Sequence, residues 1–110
     1  MSLDLAILSR DGRPEKVVSL SVDLHHKLMV VSNRFGLNEL NRLDDYYSDI
    51  DFMPDDLSRL LDQVNALLLN IGSDDLSEIL IKFKELINIA VLRREVIHAI
   101  ADWGGFKIFF

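Results

Sequence analysis

The sequence predicts an α+β fold on three observations: two short strand-like runs around a tight turn at the N-terminus, helical apolar stripes behind caps in the middle, and an alternating apolar tail. At 110 residues the chain has the length of one typical domain, and residues 1–110 are read as a single globular unit. Its apolar content of 49% is enough for one contiguous core and too high for a disordered chain.

Each element has a local cause. Leu3, Leu5 and Ile7 alternate with Asp4 and Ala6, the period of a half-buried strand. Lys16 to Ser21 is a second short run with adjacent valines, and Asp11-Gly12 between the two supplies the positive φ that a tight turn needs. An N-terminal β-hairpin follows. Ser21 is placed to cap a first helix, with Asp23 near its positive end and Leu24, Leu28, Val31 and Phe35 in one stripe. Gly36 is a natural stop, and Leu37 to Leu43 reads as a short helical stretch.

Pro54 suits the first turn of a second helix, whose stripe runs Leu57, Leu60, Leu61, Val64, Leu67, Leu68 and Ile71 before Gly72. Ser73 is the expected cap of a third, with Asp74 and Asp75 in its first turn. Its stripe runs from Leu76 to Val91. Ile81, Ile89 and Leu92 add a second apolar side, so this helix is expected to be the most buried. Glu95 to Asp102 can either prolong it or leave it. Gly104-Gly105 breaks the chain, and Phe106 to Phe110 alternates like a strand that would complete a small antiparallel sheet beside the hairpin.

Charge is distributed unevenly. The formal net charge is −6, and Asp44, Asp45, Asp49, Asp51, Asp55 and Asp56 lie in one segment without any Lys or Arg. Outside that segment acidic and basic residues balance. Such a concentrated negative field repels nucleic acid and steers basic partners. Tyr46, Tyr47 and Phe52 among these carboxylates either form the kind of mixed patch that anchors protein interfaces or turn inward to the core.

Other chemistries fit less well. There is no cysteine, which excludes disulfides, thiolate metal sites and cysteine nucleophiles. An EF-hand loop begun at Asp45 would have Tyr47 at its third position and Ile50 where glycine is required, so no metal is expected. His25 and His26 are neighbours on a helix and point about 100° apart, which suits surface histidines better than a shared metal. No P-loop, dinucleotide fingerprint or nucleophile elbow is present, and neither a cofactor nor a small-molecule substrate is expected. The first residues lack a basic segment followed by an apolar run, and no stretch is long enough to span a membrane. A soluble, cytoplasmic chain is expected.

The opening LDLAILSRDGRPEKVVSLSVDLHHKL, followed by the acidic Tyr-Tyr segment, resembles the immunity proteins of bacterial contact-dependent growth inhibition systems, which are encoded beside polymorphic toxins. The resemblance implies an intracellular protein that is not an enzyme and neutralises a cognate toxin domain, often a nuclease. Charge and composition nominate Asp44, Asp45, Tyr46, Tyr47, Asp49, Asp51, Asp55 and Asp56 as its contacts, with carboxylates facing the partner's basic groups and tyrosines providing buried area. An adaptor domain would use the same patch. A small enzyme built around His25, Asp23 and a distant carboxylate is the third class.

Overall fold

A computed structural model describes residues 2–44, 50–72 and 74–102. It is an α+β fold in which an antiparallel four-stranded sheet carries three helices. Strand β1 is Ser2–Leu8, β2 Pro14–Ser21, β3 Ile50–Phe52 and β4 Ile97–Asp102, in the spatial order β2-β1-β4-β3. Helix α1 is Val22–Arg34, α2 Leu57–Asn70 and α3 Asp75–Arg93. Two short 3-10 helices, Leu40–Asp44 and Pro54–Asp56, flank the acidic segment.

The hairpin forms where the alternation and the Asp-Gly pair place it. Gly12 has φ +79° and donates its N–H to the Ser9 carbonyl, while Ser9 N–H reaches Arg13 O at 2.7 Å. Ser21 caps α1 by accepting from Leu24 N–H at 3.2 Å. The helix closes on Gly36, whose φ of +65° lets Leu37 N–H return to Ser32 O at 3.0 Å. Asp74, not Ser73, is the residue that caps α3: Asp74 accepts from Ser77 N–H and Ser77 Oγ accepts from Asp74 N–H, both at 3.0 Å. This is a reciprocal capping box that satisfies two otherwise orphaned donors.

The expected C-terminal strand is present and completes the antiparallel sheet beside the hairpin. The strand beside β1 is Ile97–Asp102, from the stretch that the sequence left open, and residues 106–110 lie outside the described residues. Strand β3 was not anticipated, because Ile-Asp-Phe is too short to show a period. Helix α3 ends without glycine. Arg94 itself takes the left-handed conformation, at φ 53° and ψ 48°, so that Glu95 N–H can reach Ala90 O at 3.0 Å.

One face of the sheet supplies Leu3, Leu5, Ile7, Val18, Leu20, Phe52, Ile97 and Ala99 to a core shared with the helices. Helices α1 and α3 contact β1 and β2, and α2 packs on α3. Leu60, Val64 and Leu67 of α2 and Leu80, Phe83, Leu86 and Ile87 of α3 are almost wholly buried, so the two stripes are core. The second apolar side of α3 is not buried as expected: Ile81 is 49% exposed and Leu92 85%. Ile89, on the same side, is partly buried against the core. Phe35 also departs from its stripe and stays 47% exposed, because it is the C-cap residue where the chain leaves the helix.

Lys27 of α1 donates to Asp75 of α3 at 3.2 Å, and that hydrogen bond holds the Asp75 carboxyl below its ordinary value of 3.8. The folded value lies below the unfolded one. The contribution is therefore complete above the unfolded value and is lost as pH falls through the folded one. Among the described residues, no helix is long and apolar enough to cross a membrane.

The burial contrast within α3 has a direct consequence. Phe83→Ala empties an enclosed site and is expected to cost about 3–5 kcal/mol, whereas Leu92→Ala on the same helix should change stability by less than about 0.5 kcal/mol. Urea unfolding of the two variants reads the difference.

Candidate partner-binding surface

The acidic segment begins at the end of one 3-10 helix and runs through β3 into the other, so its described carboxylates occupy three settings. Asp44 ends the first 3-10 helix and is exposed. Asp55 lies in the second and is also exposed. Asp51 sits in β3 directly opposite His98 of β4, and this register brings His98 Nδ1 to 2.8 Å from Asp51 Oδ1. The Asp51 side chain nevertheless remains 54% exposed. Asp45, Tyr46, Tyr47 and Asp49 lie outside the described residues.

Asp56 is engaged differently. Its carboxylate accepts from Arg42 Nη1 at 3.3 Å and from Arg59 Nη2 at 3.1 Å, and also accepts the N–H of Met53 at 3.1 Å. Glu39 binds the same two arginines from the other side, through Arg42 Nη1 at 3.2 Å and Arg59 Nε at 3.2 Å. The four side chains close a ring of alternating charge. Arg42 reaches further, donating Nη2 to the Asp51 carbonyl at 2.8 Å and stacking over the Phe52 ring at 4.8 Å from its centroid. A guanidinium can do all this because its donors lie in one plane and its flat face suits an aromatic ring.

The ring is held in place by backbone capping. Gln63 of α2 accepts the N–H groups of Glu39 and Leu40 through Oε1, at 2.9 and 3.1 Å, and donates Nε2 to Asn38 Oδ1 at 2.7 Å. Glu39 is buried although charged, which the two arginines make tolerable. Ser32, fully buried in α1, donates towards Asn41 Oδ1 at 2.6 Å and so fixes the start of the same 3-10 helix. The first stem of the acidic segment is thereby fastened to α1 and α2, and Arg59 of α2 holds Asp56 of the second.

These contacts decide one alternative, for Phe52, and revise one expectation, for the segment's charge. Phe52 is 0% exposed, so it belongs to the core and supplies no contact area to an interface, because its position in β3 points it at the helices. The absence of Lys and Arg inside the segment also overstates its free charge, since Arg42 and Arg59 flank it in sequence and neutralise Asp56 in space. The i,i+3 pairs Glu39/Arg42 and Asp56/Arg59 are each local in sequence, and the fold unites them into one ring.

The histidines separate as well. His25 is buried rather than on the surface: its Nε2 lies 2.6 Å from Leu43 O, and since a carbonyl only accepts, that nitrogen carries the proton. It anchors the end of the first 3-10 helix to α1, while Asp23, two residues away, is exposed. Among the described residues, no group of three or more His, Asp or Glu could hold a metal ion.

No protein-family model, no curated protein and no solved structure matches this chain. The surface is therefore defined by its own geometry: among the described residues, exposed carboxylates framed by a ring of two acids and two arginines.

Removing Arg42 leaves the buried Glu39 with one partner and frees the β3 carbonyl, so Arg42→Ala is expected to destabilise by about 2 kcal/mol. Arg42→Lys should recover little of this, because one ammonium cannot span three acceptors. Asp55→Asn should cost less than about 0.5 kcal/mol. Chemical denaturation of the three variants checks the ranking.

Proposed function

We propose that this chain is an immunity-type protein that binds a basic toxin domain, a nuclease, in the cytoplasm and blocks it without performing catalysis. One observation carries this reading: Asp44, Asp51 and Asp55 keep their carboxylates at the surface, while Asp56 is drawn into the ring that steadies the segment. Asp45, Tyr46, Tyr47 and Asp49 fall between Asp44 and Ile50 in the chain and complete the proposed contact set.

The physical logic is electrostatic. A nuclease grips phosphates in a positive cleft, and a fixed array of carboxylates imitates that substrate. Long-range attraction raises the encounter rate, and aromatic contact area slows departure. A framed segment loses less conformational freedom on binding than a loose acidic tail, so more of the contact energy appears as affinity. The resemblance of the N-terminal hairpin, first helix and Tyr-Tyr segment to growth-inhibition immunity proteins points the same way.

The test is capture and rescue. The tagged chain, expressed with the toxin-like domain encoded beside its gene, is expected to retain that domain at near-equal stoichiometry and to suppress its toxicity. Replacing Asp44, Asp45, Asp49 and Asp51 with Asn should leave the fold intact and weaken capture. Retention of a housekeeping protein would favour an adaptor instead. Unfolding of the quadruple variant would make the segment structural and end the interface assignment.

A further inference from the structure

A second site lies on the other side of His98. A cleft of about 600 Å³ opens between the hairpin turn and the α3–β4 connection, lined by Ser9, Arg10, Glu15, Arg94, Glu95 and His98 among others. That volume falls within the range of about 300–1,000 Å³ typical of small-molecule sites. Its polar groups are unevenly satisfied. Glu15 is paired with Arg93 at 3.0 Å. Arg10 and Arg94 make no ion pair among the described residues, in a protein whose acidic residues outnumber its basic ones by 18 to 12. Glu95 Oε2 is buried and has no hydrogen-bond partner among the described residues. His98 gives Nδ1 to Asp51, which fixes the ring and leaves Nε2 as its other polar atom.

The backbone singles out the same place. Arg94 is the one non-glycine residue with positive φ among the described residues, at the C′ position where glycine is the usual choice. A long side chain is kept at a conformation that costs it backbone energy, and that side chain lines the cleft.

We propose that this cleft binds a small organic anion that also carries a hydrogen-bond donor, the chemistry shared by hydroxy acids and sugar phosphates. Arg10 and Arg94 take the anionic group, and Glu95 Oε2 accepts from the ligand's hydroxyl. His98 Nε2 completes the set, oriented by Asp51. No sequence motif marks the site, because its groups come from the hairpin turn, the end of α3 and β4. It does not depend on the proposed immunity function, and either assignment can fail alone.

The experiment is a titration of the full chain followed by its amide and imidazole NMR signals, with malate, glucose 6-phosphate and acetate as probes. Malate or glucose 6-phosphate is expected to saturate with shifts centred on Ser9, Arg94, Glu95 and His98, and to bind about tenfold more tightly than acetate. The tighter of the two identifies a carboxylate or a phosphate ligand. Arg10→Gln and Arg94→Gln should each weaken binding about tenfold, and Glu95→Gln should remove the advantage over acetate. Arg94→Gly separates binding from folding: it relieves the left-handed strain, so the melting temperature should hold or rise while affinity falls. Absence of saturable shifts with both probes, or unchanged affinity in Arg94→Gln and Arg94→Gly, overturns the proposal.

Discussion

The closed ring of Glu39, Arg42, Asp56 and Arg59 is the constraint on which the candidate surface depends. It joins residues on both sides of the acidic segment, and Arg42 extends it to the Asp51 carbonyl and the Phe52 ring. Exposed ion pairs contribute little to stability on their own. Here the carboxylate of Glu39 is only 10% exposed and that of Asp56 21%, so each arginine meets acids that water screens poorly. A network in that setting fixes geometry more than it adds stability, and fixed geometry is what a recognition segment requires.

The apolar core supplies the base for this ring. Phe52 enters the core from β3, Leu40 and Leu43 enter it from the first 3-10 helix, and Leu57 and Leu60 enter it from the start of α2. Each lies within a few residues of a ring member. Burial therefore sets the positions of the backbones, and the charges then meet at the rim with little further loss of freedom. His25 adds a buried polar tie to Leu43, so the same 3-10 helix is held from α1 as well as from α2.

How much was legible in the sequence varies by element. The hairpin was readable because Leu3, Leu5 and Ile7 alternate and Gly12 has a conformational reason to be there. The helices were readable from stripes and caps, apart from the one-residue shift from Ser73 to Asp74. Strand β4 was hidden because Ile100 is apolar on the face opposite Ile97, and Ala99 and Ala101 are weak strand formers, so no alternation stood out. The end of α3 was hidden because Arg94, an ordinary helix residue, does the work of glycine. At the candidate site, charge nominated a segment, but not which of its described carboxylates are drawn into ion pairs with arginine. That depends on Arg42 meeting Asp56 across fourteen residues, a contact that only the fold creates.

The two sides of His98 give the molecule a simple electrostatic plan. His98 pairs with Asp51 of the acidic segment and also lines a cleft whose Arg10 and Arg94 make no ion pair among the described residues. In the proposed function, exposed carboxylates recruit a basic partner while Asp56 only frames them. Its most direct test is the salt dependence of association with the captured partner, measured by stopped flow for wild type, Asp44→Asn/Asp55→Asn and Asp56→Asn. The account predicts that the double variant associates more slowly with a shallower salt dependence, and that Asp56→Asn loses stability but keeps the wild-type slope at temperatures where it is folded. Equal slopes for wild type and the double variant, or a slope lost only in Asp56→Asn, would contradict it.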